Sequence, residues 1–429
     1  MHERKMPATL RFMLAARRSE LLGLEDLSQT CELVTRISQL VHALQKERGY
    51  SNLYLSGNAP HQRLQLDGLS QAADSLERQA RDDFERIGQN GLGSADKTRL
   101  FTRIAYALHS LDELPALRRR IREHRISMQD ATTTLVRLIG GLLAVVFEAA
   151  DTAIDPAITR SLVALFNFMQ GKELAGQERA LGVAGFASGY FTVEMLERLE
   201  HLLECQERSF VTFSRFSSPA ALALWQCLCA SPSNAQACRL REIARRTHAD
   251  ARVDCQLGEL WFELHTARID AMKSVETCLE QDLLQRCQQS MQRVRRDLHS
   301  HRRLLDGLSD MHAAAEQARL FSVHNSDRPT EEGPDANLAR STLDLLQSQT
   351  QRLQGMHDEL REARQALDER KLVERAKQLL IKQQSCSESE AYARLRQEAM
   401  NQGLRLDEVA QRLLALNAES QAARSRQKH

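Results

Sequence analysis

Two arginines stand where the helical pattern of this chain predicts buried apolar side chains. The stripe that precedes the first of them consists of Leu33, Ile37, Leu40, Val41 and Leu44, and its next position is Arg48. A guanidinium in a buried stripe costs several kcal/mol unless a partner neutralises it. The adjacent Glu47 points about 100° away around the helix and is a poor partner. On the residues alone, a carboxylate from elsewhere in the fold is the simpler partner, and a bound anion is the alternative.

The second arginine, Arg179, has a similar setting. It shares one helical face with Leu165, Phe168, Ala175, Val183 and Phe186. Gly171, Gly176 and Gly182 interrupt the same helix, and each costs about 1 kcal/mol relative to alanine in a helix interior. Such glycines indicate the close approach of another backbone or of a ligand. Contact between helices through small residues would explain the glycines equally well, but not the arginine beside them.

The last sixty residues predict a compact unit of three helices. Ser387 and Glu390 have the spacing of a capping box, and Gly403 is a good helix terminator. The three apolar faces are Val373, Ala376 and Leu380; Ala391, Leu395, Ala399 and Met400; and Leu406, Val409, Ala410 and Leu413. From Arg370 onward there are 12 Lys and Arg against 7 Asp and Glu, which leaves a net charge of −4 for the rest of the chain. A basic unit on a mildly acidic body is typical of a nucleic-acid effector, although a short solvated domain could carry this charge by chance.

Composition favours an all-α protein of about three domains. The 429 residues are 42% hydrophobic, 27% charged and only 5% aromatic, with eight prolines. The N-terminus lacks the continuous apolar segment of a signal peptide. The longest apolar run, Leu138 to Phe147, is too short to span a bilayer and predicts a buried core helix. We therefore expect a soluble, cytoplasmic protein that does not enter a membrane.

No pattern of residues predicts catalysis, a cofactor or a metal. There is no Gly-rich phosphate loop, no metal-spaced histidine cluster and no Ser/His/Asp order set on strands. Four cysteines, Cys227, Cys229, Cys238 and Cys255, invite a zinc interpretation. Cys-x-Cys is not the usual spacing, however, and no histidine pair follows. The nine cysteines are more typical of reduced thiols.

The chain divides at short breaks and at one longer polar segment. The breaks read SGNAP, QNGLGS, AIDP and SPSN, and the polar segment, Ser322 to Asn337, is typical of a linker. After it, Leu346, Leu353, Leu360 and Leu367 recur every seven residues. This spacing fits a coiled-coil stalk or dimerisation helix, and it fits equally an amphipathic helix lying on the body of the protein.

Local motifs resemble two known families. QKERGYSNLYL (residues 45–55) and MQGKELAGQERALG (residues 169–182) resemble the NIT domain, a nitrate- and nitrite-sensing domain of bacterial regulators. Glu-Arg-Ala-Lys, Ser-Glu-x-Glu-Ala-Tyr, Leu-Arg-x-x-Ala-Met and Leu-x-x-Val-Ala, between residues 374 and 410, resemble the RNA-binding ANTAR domain of transcription antitermination regulators. One departure is Ile381, where many relatives carry methionine, a volume-conserving exchange.

The resemblance implies a sensor of two helical bundles at residues 27–320, a linker and long connecting helix at 321–365, and an ANTAR domain at 366–420. It implies that the liganded sensor lets the effector bind stem-loops in leader mRNA, which prevents terminator formation. The expected partners are nitrate or nitrite, that RNA, and a second copy in a homodimer, with RNA polymerase involved only indirectly. The alternative is an ANTAR regulator controlled by another anion or by a protein partner.

The resemblance also places the nitrate or nitrite between the bundles, held by arginines. A planar guanidinium matches two oxygens of the flat nitrate ion. By their motifs, Arg48 and Arg179 are candidate ligands, and Arg239 is the third by its place after the tryptophan-containing helix. Arg241 and Arg268 are alternatives to Arg239.

For RNA, the candidates are the basic side chains of the three-helix unit, because single-stranded loops and phosphates are what proteins mostly contact in RNA. They are Lys377, Arg394, Arg396 and Arg405, with solvated surface positions as the alternative for Lys377 and Arg396. Tyr392 is the only aromatic residue available there for stacking on a base. Its place beside Ala391 favours a core residue between helices instead.

Overall fold

The computed structural model describes residues 8–57, 60–90, 97–247, 252–321, 334–386 and 388–426. In these ranges the chain forms thirteen helices and no strand, which confirms the all-α class. They are α1 (Ala8–Ser56), α2 (Pro60–Asn90), α3 (Thr98–Asp112), α4 (Leu114–Arg122), α5 (Met128–Thr152), α6 (Pro156–Ser188), α7 (Val193–Phe216), α8 (Pro219–Cys229), α9 (Pro232–Arg245), α10 (Leu257–Phe321), α11 (Pro334–Gln384), α12 (Glu388–Gln402) and α13 (Leu406–Arg426).

The first ten helices form two bundles packed side by side. In the first bundle, α1 packs on α2 and α5, and α3 packs on α5. In the second, α6 lies against α7 and α10, while the short helices α8 and α9 cover α10. Helix α1 crosses from one bundle to the other, because it also packs along α10 and contacts α6. Residues on α1 and α6 therefore meet at the boundary between the bundles, as the expected sensor fold requires.

The predicted breaks coincide with helix ends for identifiable reasons. The Asp155 side chain accepts a hydrogen bond from the Ile158 amide, and Pro156 takes the first turn of α6, where no intrahelical amide partner is needed. The same helix ends at Gly189, whose φ of +78° favours glycine. Ser231 caps α9 in the same way as Asp155 caps α6.

Helix α5 is the predicted core helix. Within the described ranges it alone is long and apolar enough to cross a membrane by length and composition, yet 61% of its most apolar window is buried inside the protein. Leu142, Val145 and Val146 are fully buried. The helix packs against α1, α3 and α6, so its apolar composition is explained by packing between the bundles.

The later part of helix α11 lies on the sensor, as one of the two interpretations of its leucine repeat predicts. Ala363 and Leu367 are buried in the large core of the two bundles. Glu362 pairs with Arg160 and Arg215, each at 2.8 Å. The side chains of Leu346 and Leu353 are outside the described part of the chain, as are residues 322–333 of the predicted linker.

The last three helices form the predicted unit with its own core. Ala376, Leu380, Ala391, Leu395, Ala399, Val409 and Ala410 are buried together. Gly403 ends α12 with a φ of +61°, as its position predicted. Met400, which we assigned to the apolar face of α12, is instead 65% exposed, because the core of this small unit is filled by the smaller Ala399 beside it. Ser387 of the predicted capping box lies outside the described residues.

Candidate functional site

Arg48 is buried at the end of the apolar stripe of α1 and meets a carboxylate from the other bundle. The stripe residues are fully buried, and Arg48 itself is 1% exposed. Its Nη1 donates to Oε1 of Glu173 at 2.5 Å, and its Nη2 donates to Oε2 at 3.2 Å. Glu47 instead accepts from Arg118 of α4 at 2.6 and 2.8 Å. The adjacent residues Glu47 and Arg48 therefore pair with different helices and not with each other, as their angular separation around α1 predicted.

Two glycines let the arginines of the facing helices pass close to the backbone. A methyl group added at Gly176 of α6 would overlap Nη2 of Arg48, and one added at Gly49 of α1 would overlap Nη2 of Arg179. Each helix therefore offers a glycine to the arginine of the other. Of the three glycines singled out in the sequence of α6, Gly176 is thus approached by a guanidinium group, whereas Gly171 and Gly182 are approached by the rings of Phe210 and Trp261.

Arg179 is buried among neutral acceptors. Its Nη1 donates to Oγ1 of Thr266 at 2.9 Å and its Nη2 donates to the Gln45 carbonyl oxygen at 3.2 Å. The guanidinium carbon lies 5.2 Å from the centre of the Phe262 ring. Among the described side chains, no carboxylate forms an ion pair with it. Burial and the nearby charge of Arg48 lower the pKa of Arg179 to about 10, which leaves it positively charged at neutral pH.

Both arginines line one cleft between the bundles. The cleft has a volume of about 780 Å³ and is walled by α1, α6 and α10. Tyr50 and Phe262 provide aromatic walls, and Thr266 provides a hydroxyl. Asp270 lies at the exposed side, where it pairs with Lys46 at 3.1 Å. At the buried end of the cleft, Arg48, Arg179 and Glu173 together carry a net charge of +1, while the carboxylates of Glu259, Glu263 and Asp270 lie along its outer lining.

The structure does not bring Arg239 to this cleft. Arg239 is exposed on α9, in the second bundle. Its two alternatives lie in a separate cleft of about 620 Å³. There Arg241 donates from Nε to Glu178 at 2.6 Å, and Arg268 lies 3.7 Å from the same carboxylate. Of the three predicted ligands, Arg48 and Arg179 share one cleft, and Arg239 lies outside it.

Sequence reasoning missed Glu173, Gln45 and Thr266. Glu173 belongs to the motif of residues 169–182 and stands one helical turn before Gly176, so its face could have been read from the pattern. Its pairing could not, because Arg48 is 125 residues away in the chain. The Gln45 carbonyl is available to Arg179 only through the crossing of α1 and α6.

The predicted RNA-binding residues of the effector have different environments. Lys377 is buried between Glu388 at 2.7 Å and Glu374 at 2.9 Å. Burial opposes its charge, but the two carboxylates outweigh this and raise the pKa of Lys377. Arg394 is exposed on α12. The remaining two are ion-paired: Arg396 with Glu204 at 2.5 Å, and Arg405 with Glu369 at 2.7 Å and Asp407 at 3.2 Å.

Tyr392 is buried, though not in the core of the three-helix unit. Its ring centre lies 4.6 Å from that of His201, and the guanidinium of Arg208 lies 4.5 Å from it. His201 and Arg208 belong to α7 of the sensor, and Arg396 pairs with Glu204 of the same helix. One face of α12 is therefore docked on the second bundle.

The four cysteines considered for zinc are exposed and free. Among the described residues, no group of three or more His, Cys, Asp or Glu side chains is placed to hold a metal ion.

The fold and the cleft define a class of protein in which a helical sensor of two bundles carries a basic three-helix effector on one continuous connecting helix. Comparison with known proteins gives the family. A family model described as nitrate and nitrite sensing (NIT) matches residues 39–284, and the ANTAR domain model matches residues 361–414. The chain therefore belongs to the family of regulators that join a NIT sensor to an ANTAR effector.

Two relatives extend this match over almost the whole chain. A nitrate regulatory protein of Klebsiella oxytoca is 32% identical over 412 residues, which is 96% of each chain. The solved structure of the NasR transcription antiterminator is 32% identical, with a TM-score of 0.55, and the match covers 96% of this chain and 100% of that one.

Proposed function

We propose that this chain is a one-component regulator of transcription antitermination, in which nitrate or nitrite binds the cleft of Arg48 and Arg179. When liganded, it binds stem-loops in leader mRNA through its ANTAR unit and prevents the terminator from forming. The observation that carries this proposal is the meeting of two buried arginines, one from each bundle, on a single cleft. Family membership supports the same ligand and the same target.

The chemistry of the cleft suits a small planar anion. Each guanidinium offers parallel N–H groups to two oxygens of nitrate or nitrite. Among the described residues, Arg179 donates to a hydroxyl and a carbonyl and pairs with no carboxylate, so an incoming anion meets an unpaired positive charge. The low polarity of the buried end strengthens that attraction relative to water.

Docking of the effector on the sensor supports a mechanism of release. Arg396 is engaged by Glu204, and Tyr392 packs on His201 and Arg208 of α7, so part of the expected RNA-binding face is turned toward the second bundle. Because the cleft lies between the bundles, an anion that draws them together or apart changes the surface on which α12 rests. A ligand shifts such an equilibrium only by its difference in affinity for the two arrangements.

The remaining partners follow from this function. The proposed regulator acts in the cytoplasm, where nascent leader RNA is made, and does so as a homodimer. It needs no contact with RNA polymerase, since the terminator is controlled through RNA structure. Its role is that of a regulator rather than an enzyme.

Thermal unfolding of the purified protein tests the sensor directly. We expect nitrate to raise the unfolding temperature, with chloride at equal ionic strength as the control. A ligand at about 100 times its dissociation constant stabilises the folded state by about 2.7 kcal/mol. Equal unfolding temperatures in saturating nitrate and in chloride would contradict nitrate as the ligand and favour a different signal for the same effector.

The docked face also predicts a pH dependence. Burial, followed by the charge of Lys377, lowers the pKa of His201 to about 4. An undocked His201 has a pKa nearer its ordinary value of about 6.5, so protonation favours the undocked state. The docked state is therefore favoured most above about pH 6.5, and it becomes less favoured as the pH falls toward 4. At pH 5.5 the equilibrium constant for docking should fall by less than about tenfold, because the ring is partly exposed.

Hydrogen exchange of the α12 amides in the intact protein, corrected for intrinsic rates, measures this effect. We expect faster exchange at about pH 5.5 than at about pH 7.5. The matched variant is His201→Phe, which keeps an aromatic ring against Tyr392 and removes the titration. An identical pH response in the variant would show that another group controls docking.

A further inference from the structure

The partner of Arg48 is an anion supplied by the protein itself. Glu173 presents two oxygens to Nη1 and Nη2 of Arg48, which is the edge that a planar oxyanion would use. Both side chains are almost completely buried, at 1% and 3% exposed. A carboxylate and nitrate are both planar monoanions, and each presents a pair of oxygens with nearly the same geometry. The end of the Arg48 guanidinium accommodates one of them at a time.

The rest of the Arg48 guanidinium does not offer a second open edge for two parallel bonds to nitrate. Its Nε is buried and has no hydrogen-bond partner among the described residues. It is also closed to solvent, so an anion in the cleft reaches it only if the side chain turns. Turning the guanidinium breaks the two parallel bonds to Glu173. Nitrate that takes two parallel bonds from Arg48 therefore replaces Glu173 rather than joining it.

Glu173 keeps other partners when it loses Arg48. Nε2 of Gln45 donates to its Oε2 at 3.0 Å, and Nε2 of Gln177 donates to its Oε1 at 3.1 Å. These amides satisfy both carboxylate oxygens without a positive charge. A buried carboxylate with such donors costs far less to separate from its ion-pair partner than an unbonded one.

We propose that Glu173 is an internal carboxylate ligand of Arg48 that nitrate displaces, so that it sets the nitrate affinity of the cleft. This inference rests on the proposed function. Arg48 is on α1 and Glu173 on α6, and the pair therefore ties the first bundle to the second. Displacement by nitrate removes that tie at the boundary where the bundles meet. Because Glu173 competes with nitrate for Arg48, the sensor needs a higher nitrate concentration to respond than it would need without Glu173.

Nitrate titration of the intact protein by calorimetry tests this, with wild type beside Glu173→Gln. The variant keeps the size of the side chain and removes its charge, so we expect nitrate affinity to rise at least about tenfold. If Glu173 merely held Arg48 in position for nitrate, the same change would weaken binding. Unchanged or weaker binding in a folded Glu173→Gln protein therefore overturns the proposal.

A matched control and a milder variant complete the experiment. Glu47→Gln removes an equally buried carboxylate that accepts two bonds from Arg118 away from the cleft, and nitrate affinity should not change. Glu173→Asp shortens the side chain by one methylene, which weakens its two bonds to Arg48, and should raise the affinity about two- to threefold. If Glu173→Gln does not fold, this variant decides, and an unchanged or lower affinity overturns the proposal.

The experiment also separates this proposal from the one on which it rests. Wild-type binding with no gain in the variants leaves nitrate sensing intact and removes the role of Glu173. Binding by Glu173→Gln with none detectable in wild type supports the role of Glu173 in its strongest form. Absence of nitrate binding in wild type and in every variant overturns both.

Discussion

Replacing Arg48 with alanine is expected to lower nitrate affinity at least about a hundredfold and to abolish nitrate-dependent RNA binding. Arg48 contributes two N–H groups to a charge-assisted contact, and hydrogen bonds to charged groups are worth about 1.5–3 kcal/mol each. Loss of two of them exceeds the roughly 2.7 kcal/mol that a hundredfold change requires. Calorimetry with nitrate and a gel-shift assay with leader RNA, with and without nitrate, measure the two effects on the full chain.

The same substitution also leaves Glu173 buried without its ion-pair partner, so a matched control is needed. Arg118→Ala removes a buried arginine from a similar two-bond pair with Glu47, in α4 and away from the cleft. We expect it to lower stability to a similar degree while nitrate still binds. If Arg118→Ala lost nitrate binding to the same extent as Arg48→Ala, general destabilisation would explain both, and Arg48 would have no special place in the site.

The second large effect is expected at Lys172, beside Glu173 in the chain. Its ammonium group is fully buried and bonded to Glu276 of α10, whose side chain is also fully buried. Lys172→Ala should lower the free energy of unfolding by about 3–5 kcal/mol, because it leaves a buried carboxylate without its closest cation. Urea unfolding of the purified variant measures the change.

A double variant shows whether that loss comes from the unpaired charge. Lys172→Met with Glu276→Leu removes both charges and keeps most of the volume, and buried pairs replaced in this way often lose little stability. We expect it to be more stable than Lys172→Ala. A double variant as unstable as the single one would instead assign the loss to packing, with no role for the buried ion pair.

Much of the fold followed from sequence because its signals are local. The capping residues and prolines of α6 and α9 act within one turn, and the glycine that ends α12 acts on its own backbone. The buried stripe of α1 placed Arg48 correctly, because periodicity alone fixes which face of a helix is covered. The partner of Arg48 was beyond such reasoning, since it depends on how two distant helices cross.

The third arginine shows where the pattern fails. Arg239 and Arg241 are two residues apart on α9, so they point to different sides of the helix, and the local pattern does not choose between them. In the structure, Arg239 is exposed and Arg241 is held by Glu178. A loose motif identifies which segment of the chain forms the helix, but it does not determine which side chains of that helix face the rest of the protein. Whether Arg239 contributes to anion binding stays a prediction.

The leucine repeat of α11 was ambiguous for a different reason. A stripe of leucines every seven residues suits burial against a second copy or against the body of the same chain. Which of these surfaces covers the stripe cannot be read from the stripe itself. In the structure, Ala363 and Leu367 pack in the sensor core. Tyr392 raised the same difficulty, because its apolar neighbours predicted burial without saying against which domain.

The continuity of α11 has a consequence for how regulators of this kind can be assembled. The helix runs unbroken from Pro334 to Gln384, about 75 Å, and it places Leu367 in the sensor core and Ala376 in the effector core. The stretch between them works as a rigid spacer, and each residue added or removed would turn the effector by about 100° around the helix axis. Insertions or deletions in this stretch are therefore tolerated only when they add or remove whole helical turns. A different sensor could be grafted onto this effector only at junctions that preserve that phase.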